Sequence, residues 1–242
     1  MDPRQRLIVA LDVSSAAAAR KIVAAVGDSA HAYKVGMQLY TAEGPSCVRE
    51  LVRSGRRVFL DLKFHDIPNT VGAAVGEAAL LGVSMLTVHA SGGGKMLRAA
   101  IDAAREVSSP SQHPELLVLA VTVLTSLDDV ELGKMGLRGG VLDQVRRLAA
   151  LAVSNGCKGV VASALEASAL REEFGPDFII VTPGVRPAGS GPHDQARVVT
   201  PAEAIAAGAS HIVVGRPITE AADPADEARA ILGQLGALAR PA

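Results

Sequence analysis

The sequence predicts an α/β protein built as a single (β/α)8 TIM barrel, and three observations carry that expectation. The chain has 242 residues, close to the ~250 that one such barrel uses. Its AVILMFWYC content is 49%, yet only 2% of residues are aromatic. The core is therefore aliphatic, which suits parallel strands buried on both faces. One unit also recurs: a short aliphatic run, a polar tip, then a helical stretch that stops at glycine. Two small domains would also fit the length, and a doubly wound open sheet shares the local pattern. Eight units without a composition break favour one barrel domain over residues 1–242.

The strand candidates follow in chain order. They are LIVALD (7–12), HAYKVG (31–36), RVFLDLK (57–63) and SMLTVHA (84–90), then LLVLAVTVL (116–124), CKGVVAS (157–163), FIIVTPG (178–184) and SHIVVGR (210–216). Helix punctuation lies between them. Ser14 or Ser15 caps SSAAAARKIVAAV, which stops at Gly27. Pro45 suits a first helical position, with a stop at Gly55. Pro68-Asn69-Thr70 opens a helix that ends near Gly82. Ser163 with Glu166, and Thr200 with Glu203, have the spacing of a capping box. Gly156, Gly175 and Gly208 are further C-terminal stops. Residues 184–199, GVRPAGSGPHDQARVV, form a long Gly- and Pro-rich loop after the seventh strand. A loop of that length is either a lid over a site or a featureless surface segment.

Composition excludes several classes. Net charge is -1, with 24 basic and 25 acidic residues, so there is no nucleic-acid footprint and no basic membrane patch. No stretch approaches ~18 uninterrupted apolar residues, as a spanning helix requires. The apolar run in MDPRQRLIVALDV is too short for a signal segment and is interrupted by Asp12. Cys47 and Cys157 lie far apart in apolar surroundings and read as reduced structural thiols. The expectation is a cytoplasmic protein.

In a barrel of this kind the active site forms at the C-terminal ends of the strands. Charge collects there. Strand one ends at Asp12, strand two carries Lys34, strand four ends at His89 and strand eight at Gly215-Arg216. Strand three is the richest, with Asp61, Lys63, His65 and Asp66. Side chains alternate along a strand, so Phe59, Asp61 and Lys63 share a face that points into the barrel mouth. Leu60, Leu62 and Phe64 then face the helices. Buried charges are costly unless paired, and Lys34 and Lys63 both compensate Asp61. His89 reads equally as a strand-end core histidine or a participant, and Asp12 equally as a helix cap or a ligand contact. His31, His113 and His193 carry no signal.

A second constellation suits phosphate. Gly215 permits close approach of a backbone N–H to an anion, Arg216 bonds two phosphate oxygens at once, and Pro217 starts a helix. Arg186 and Gln195, in the suspected lid, are placed to close over the same group.

These residues resemble a known family. FLDLKFHDIPNTV (59–71) is similar to the signature of the orotidine 5′-phosphate decarboxylase family. LIVALDV, YKVG, LTVHASGG, AVTVLTS, VTPGVRP, DQAR and VVGRPI extend the match from about residue 7 to about residue 220. The resemblance implies a homodimeric barrel, free of metal and cofactor, that makes UMP from a nucleotide monophosphate in pyrimidine biosynthesis. It implies a charge array of Lys34, Asp61, Lys63 and Asp66, with Lys63 the proton donor and Asp66 reaching the partner subunit's site. By the same resemblance Asp12, Lys34 and Thr70 lie near the ribose, and Thr125, Ser126 and Pro183 near the pyrimidine. Arg186, Gln195, Gly215 and Arg216 surround the phosphate, and Ile67 joins the substrate-binding set beside Asp66.

Three rivals share parts of this pattern. A Mg²⁺-dependent sugar-phosphate decarboxylase of the same superfamily has similar Asp-x-Lys-x-x-Asp spacing, but it wants an acidic residue where Lys34 stands. A barrel epimerase wants His and Asp ligands on several strands. An idle phosphate-ligand binder expects a gap in the charge array.

Overall fold

The computed structural model describes residues 2–107, 115–187 and 199–237. Eight parallel strands close into a barrel in the order β1 to β8. They are β1 (Leu7–Ala10), β2 (Ala32–Gly36), β3 (Arg57–Phe64), β4 (Met85–His89), β5 (Leu117–Val121), β6 (Gly159–Val161), β7 (Ile179–Thr182) and β8 (His211–Val214). Twelve helices are described: α1 (Pro3–Arg6), α2 (Ala16–Val26), α3 (Met37–Glu43), α4 (Pro45–Arg53), α5 (Pro68–Leu80), α6 (Gly94–Val107), α7 (Asp129–Lys134), α8 (Val141–Ser154), α9 (Ala164–Phe174), α10 (Pro201–Ala206), α11 (Arg216–Thr219) and α12 (Pro224–Ala237). None of them is long and apolar enough to cross a membrane.

The barrel is the expected one, but most of its strands are shorter than the apolar runs in the sequence. β1 stops at Ala10, and β8 stops at Val214. Asp12, Gly215 and Arg216 therefore stand beyond the strand ends. Helix punctuation follows the sequence closely. Ser15 caps α2, accepting from the Ala18 N–H. Ser163–Glu166 and Thr200–Glu203 form capping boxes at α9 and α10. Several helices carried no signal in the sequence, among them α1, α6 and α12, the short α7, and α3, which follows β2 directly and breaks from α4 at Gly44 (φ +65°). Arg216, not Pro217, is the first residue of α11.

Alternation along the strands sorts the core into two layers. Ile8, Phe59, Met85, Leu119, Val181 and Val213 pack inside the barrel. Their strand neighbours, such as Val9, Leu60, Leu86 and Ile180, pack outward under the helices. Phe59 is the one aromatic ring in the inner cluster, so aliphatic side chains do fill the interior. Both cysteines are buried and free, and burial pushes the Cys157 thiol up to about 11, where it is inert.

At the opposite end from the charge array, Arg171 on α9 ties three segments together. Its guanidinium donates to the carbonyls of Gly175, Pro176, Phe178 and Gly208 at 2.7 Å each. It also reaches Ser210 Oγ at 3.1 Å. The entries to β7 and β8 are thereby held to the end of α9, as five donors in a planar fork allow.

His211, the first residue of β8, is 5% exposed, and its Nδ1 has no hydrogen-bond partner among the described residues. Burial, with Arg57 and Arg6 nearby, pushes its pKa down to about 4. An unfolded histidine titrates near ~6.5. Between those values the unfolded chain takes a proton that the fold refuses, so stability is full above pH ~6.5 and falls as pH drops towards ~4. The expected loss is about 3 kcal/mol. Urea titrations at pH 7 and pH 4.5 measure it, and His211→Leu should flatten the decline relative to the parent.

Candidate active site

The site begins on β2 and β3. The two strands pair in register, Lys34 opposite Phe59 and Gly36 opposite Asp61. Lys34 is therefore level in the ladder with Phe59 of the inner apolar cluster, and its amine extends to two carboxylates. Lys34 Nζ lies 2.8 Å from Asp12 Oδ1 and 3.6 Å from Asp61 Oδ2. Lys63 Nζ donates to both Asp61 oxygens at 2.9 Å. The four charges form a chain, Asp12–Lys34–Asp61–Lys63. Gly36 leaves room for it: a Cβ there would meet Asp12 Oδ1 and Lys34 Nζ at 2.9 Å, so the pair would have to shift.

Asp61 is 8% exposed. Burial alone would raise its pKa, but Lys34 and Lys63 outweigh that, aided by hydrogen bonds from Lys63 and Thr87. The net effect holds the carboxyl below its ordinary value, so it is ionised at neutral pH. Thr87, on β4, was missed in the sequence. Its parity pointed inward, but a lone threonine in an aliphatic strand carries no signal.

Alternation along β3 brings Asp61 and Lys63 together only with help from a bulge. The ladder to β4 pairs Leu60 with Leu86, then Phe64 with Val88, with a shift between. Four steps along β3 thus match two along β4. Lys63 takes up the excess as the one non-glycine residue with positive φ among the described residues (+52°). A left-handed conformation at such a residue costs of order 1–3 kcal/mol and persists only where its surroundings hold it.

The charge chain lines a cavity of about 610 Å³ at the barrel mouth. Phe59, Val121, Val161 and Val213 contribute apolar wall. Thr125, Pro183, Arg186, Gly215 and Arg216 line the same space, with Gln38 as an unforeseen polar neighbour. Arg186 is buried, and its N–H donates to Val199 O at 2.9 Å. Val185 also pairs with Val199, so the two stems of the 184–199 loop are tied together. Residues 188–198, including Gln195 and the body of the expected lid, lie outside the described residues, as does His113.

Four expected site residues stay out of this cavity. Asp66, Ile67 and Thr70 are exposed beyond the end of β3 and on the first turn of α5, and Ser126 is exposed beside Thr125. Asp66 Oδ1 accepts from the Ile67 N–H at 2.6 Å, and Ile67 is 67% exposed. His89 stands between the two readings given to it. Its ring lies 5.3 Å from that of His65. Burial, His65 and Lys63 lower its pKa against the pull of Asp61, so it is neutral near pH 7 and lines no part of the cavity.

The chain as a whole is similar to known proteins. A family model described as orotidine 5′-phosphate decarboxylase / HUMPS family matches residues 5–231. The orotidine 5′-phosphate decarboxylase of Moorella thermoacetica is 52% identical over 236 residues, covering 97% of this chain and 94% of the relative. That of Thermobifida fusca is 49% identical, covering 95% of each. The crystal structure of the Lactobacillus acidophilus orotidine 5′-phosphate decarboxylase superposes with a TM-score of 0.84 at 41% identity, covering 94% of this chain and 97% of that one.

The geometry makes Asp61 the keystone of the charges. Asp61→Ala leaves the Lys63 ammonium facing Lys34 with no carboxylate between them. The expected cost is about 2 kcal/mol of folding stability at pH 7, read from urea titrations. Added phosphate should recover part of it by supplying an anion to the cavity. An unchanged midpoint would mean that the two lysines find water instead.

Proposed function

The chain belongs to the orotidine 5′-phosphate decarboxylase / HUMPS family, it is a carboxy-lyase of pyrimidine nucleotide synthesis, and we propose how its barrel mouth converts orotidine 5′-phosphate to UMP. Lys63, Asp61 and Lys34 of one chain act with Asp66 of the partner subunit, without metal or cofactor. One observation carries this reading. An ammonium held by both oxygens of a buried carboxylate stands in a cavity whose lining also includes Arg186, Gly215 and Arg216.

The chemistry follows from charge. The bond from C6 of the ring to the carboxylate carbon breaks, and its electron pair stays on C6 as CO2 departs. No carbonyl is placed to delocalise that pair, so fixed charge must stabilise it. Lys63 supplies the cation and then gives a proton to C6, and its amine recovers a proton from solvent. Asp61 lies against the departing carboxylate. Two like charges ~4 Å apart repel by ~4 kcal/mol at an effective dielectric of ~20. That repulsion vanishes as CO2 leaves, yet it is a minor share of the ~8–23 kcal/mol that enzymes supply. The larger share comes from remote binding energy: Arg186, Gln195, Gly215 and Arg216 grip the phosphate and close the 184–199 loop over a dry site.

The other ligand contacts are assigned by position. Asp12 and Lys34 hold the ribose hydroxyls, and Thr125, Ser126 and Pro183 contact the pyrimidine. Asp66, Ile67 and Thr70 are solvent-facing in one chain, which supports their serving the partner's site in a homodimer. Lys34 supports metal independence. Its ammonium stands 2.8 Å from Asp12 and 3.6 Å from Asp61, in the gap between carboxylates where a divalent cation would otherwise bind. Two free buried thiols support a reducing cytoplasmic setting. We read residues 1–242 as one barrel domain on the strength of its closed sheet.

Purified protein should form UMP from orotidine 5′-phosphate at an undiminished rate with EDTA present; loss of turnover on chelation overturns the metal-free reading. Arg216→Ala should lower kcat/KM by roughly 100-fold or more, because remote binding energy is withdrawn from the transition state. Equal efficiency in variant and parent removes phosphate grip from the mechanism. Lys63→Ala and Asp66→Ala should each be nearly inactive. Random mixed dimers of the two should regain roughly a quarter of parental activity, since each heterodimer holds one intact site. Verified heterodimers without activity exclude a shared site.

A further inference from the structure

Thr87 lies on β4 with its side chain wholly buried. Its Oγ1 accepts from the Lys63 backbone N–H at 2.9 Å and donates to Asp61 Oδ1 at 3.0 Å. The direction of both bonds is settled by the inventory of hydrogens. The Lys63 amide can only donate, and an ionised carboxylate can only accept. The single hydroxyl proton of Thr87 therefore points at Asp61.

Both partners belong to β3 and flank its irregularity. Between Leu60 and Phe64 the ladder to β4 is out of register, and the Lys63 amide finds the Thr87 hydroxyl in place of a backbone carbonyl. That bond holds Lys63 at φ +52°, the conformation that turns its amine back onto Asp61. The other bond fixes the rotation of the Asp61 carboxylate, so that both its oxygens face Lys63 Nζ and one faces Lys34. One oxygen atom thus sets the backbone of the proton donor and the orientation of the carboxylate opposite it.

We propose that Thr87 is a positioning residue for the decarboxylation, acting through Lys63 and Asp61 and touching no substrate itself. The proposal rests on the reading of Lys63 and Asp61 as the reacting pair. Without the hydroxyl, the Lys63 amide becomes a buried donor with no acceptor, and the strand relaxes towards ordinary alternation. The amine then leaves its place by a fraction of an ångström or more, which is enough to impair a step that depends on alignment.

The experiment compares Thr87→Val, which keeps the shape and removes both bonds, with Thr87→Ser, which keeps the hydroxyl. In Thr87→Val, kcat for orotidine 5′-phosphate should fall roughly 10- to 100-fold while KM stays within about threefold. The acid limb of its kcat profile should move to higher pH, since Asp61 loses a bond that favours its charged form. Thr87→Ser should restore kcat to within about threefold and return the limb to its parental position. Amide hydrogen exchange over residues 60–66 should quicken by roughly tenfold in the valine variant and stay parental in the serine variant. Parental kcat and acid limb in Thr87→Val, or equal damage in Thr87→Ser, overturns the proposal. Thr87→Ala takes the place of valine if that variant does not fold. A parent that forms no UMP would overturn the functional reading alone, because the exchange comparison still decides whether Thr87 holds β3.

Discussion

A carboxylate held out of water between two ammonium groups governs the architecture of this barrel mouth. Asp61 is buried, and burial by itself would drive it towards the neutral acid. Lys34 and Lys63 reverse that tendency, and Thr87 completes its hydrogen bonding. Each neighbour then imposes a demand of its own. Lys34 needs a second anion, which Asp12 supplies from beyond the end of β1. A side chain at residue 36 would press on that pair and displace it, and glycine stands there. Lys63 must turn back along its own strand, which requires a bulge and a left-handed residue. A charge that is expensive to bury has thus dictated residue choices on four strands or their ends.

The barrel divides its labour by height. Its lower interior is aliphatic apart from Phe59 and the neutral His211, and it is built from the alternate residues of short strands. Short strands matter for the site as well. Because pairing ceases at Ala10, Thr182 and Val214, the residues that follow are free of the ladder and line the cavity: Asp12, Pro183, Gly215 and Arg216. Function sits where the sheet stops, on backbone that the sheet still anchors. Arg171 secures the other end, where β7 and β8 begin, with hydrogen bonds to backbone carbonyls that no apolar packing would satisfy.

Much of this was legible because it rests on local rules. Capping boxes at Ser163 and Thr200, glycine stops and the inward parity of Asp61 all follow from neighbours within a few residues. What escaped depends on partners distant in sequence. Thr87 is one polar residue in an aliphatic strand until Asp61 and Lys63 are placed beside it. The left-handed Lys63 is invisible because the shift belongs to the β3–β4 pair and not to β3. Helix α3 escaped because it is short and carries no side-chain cap, with Gly36 and Gly44 at its two ends. Asp66, which the resemblance assigns to the partner subunit's site, faces solvent in its own chain.

The sequence alone determined the barrel, the strand ends that carry charge and the identity of the charged groups. Periodicity, capping and family resemblance are properties of order along a chain, and order is what a sequence holds. Only the tertiary structure decided how the charges meet. Lys34 bridges Asp12 and Asp61, Lys63 takes both oxygens of Asp61, and Asp66 turns away. Those outcomes depend on strand register and on a two-residue shift between neighbouring strands. Register is fixed by closing the whole barrel, so no single segment contains it.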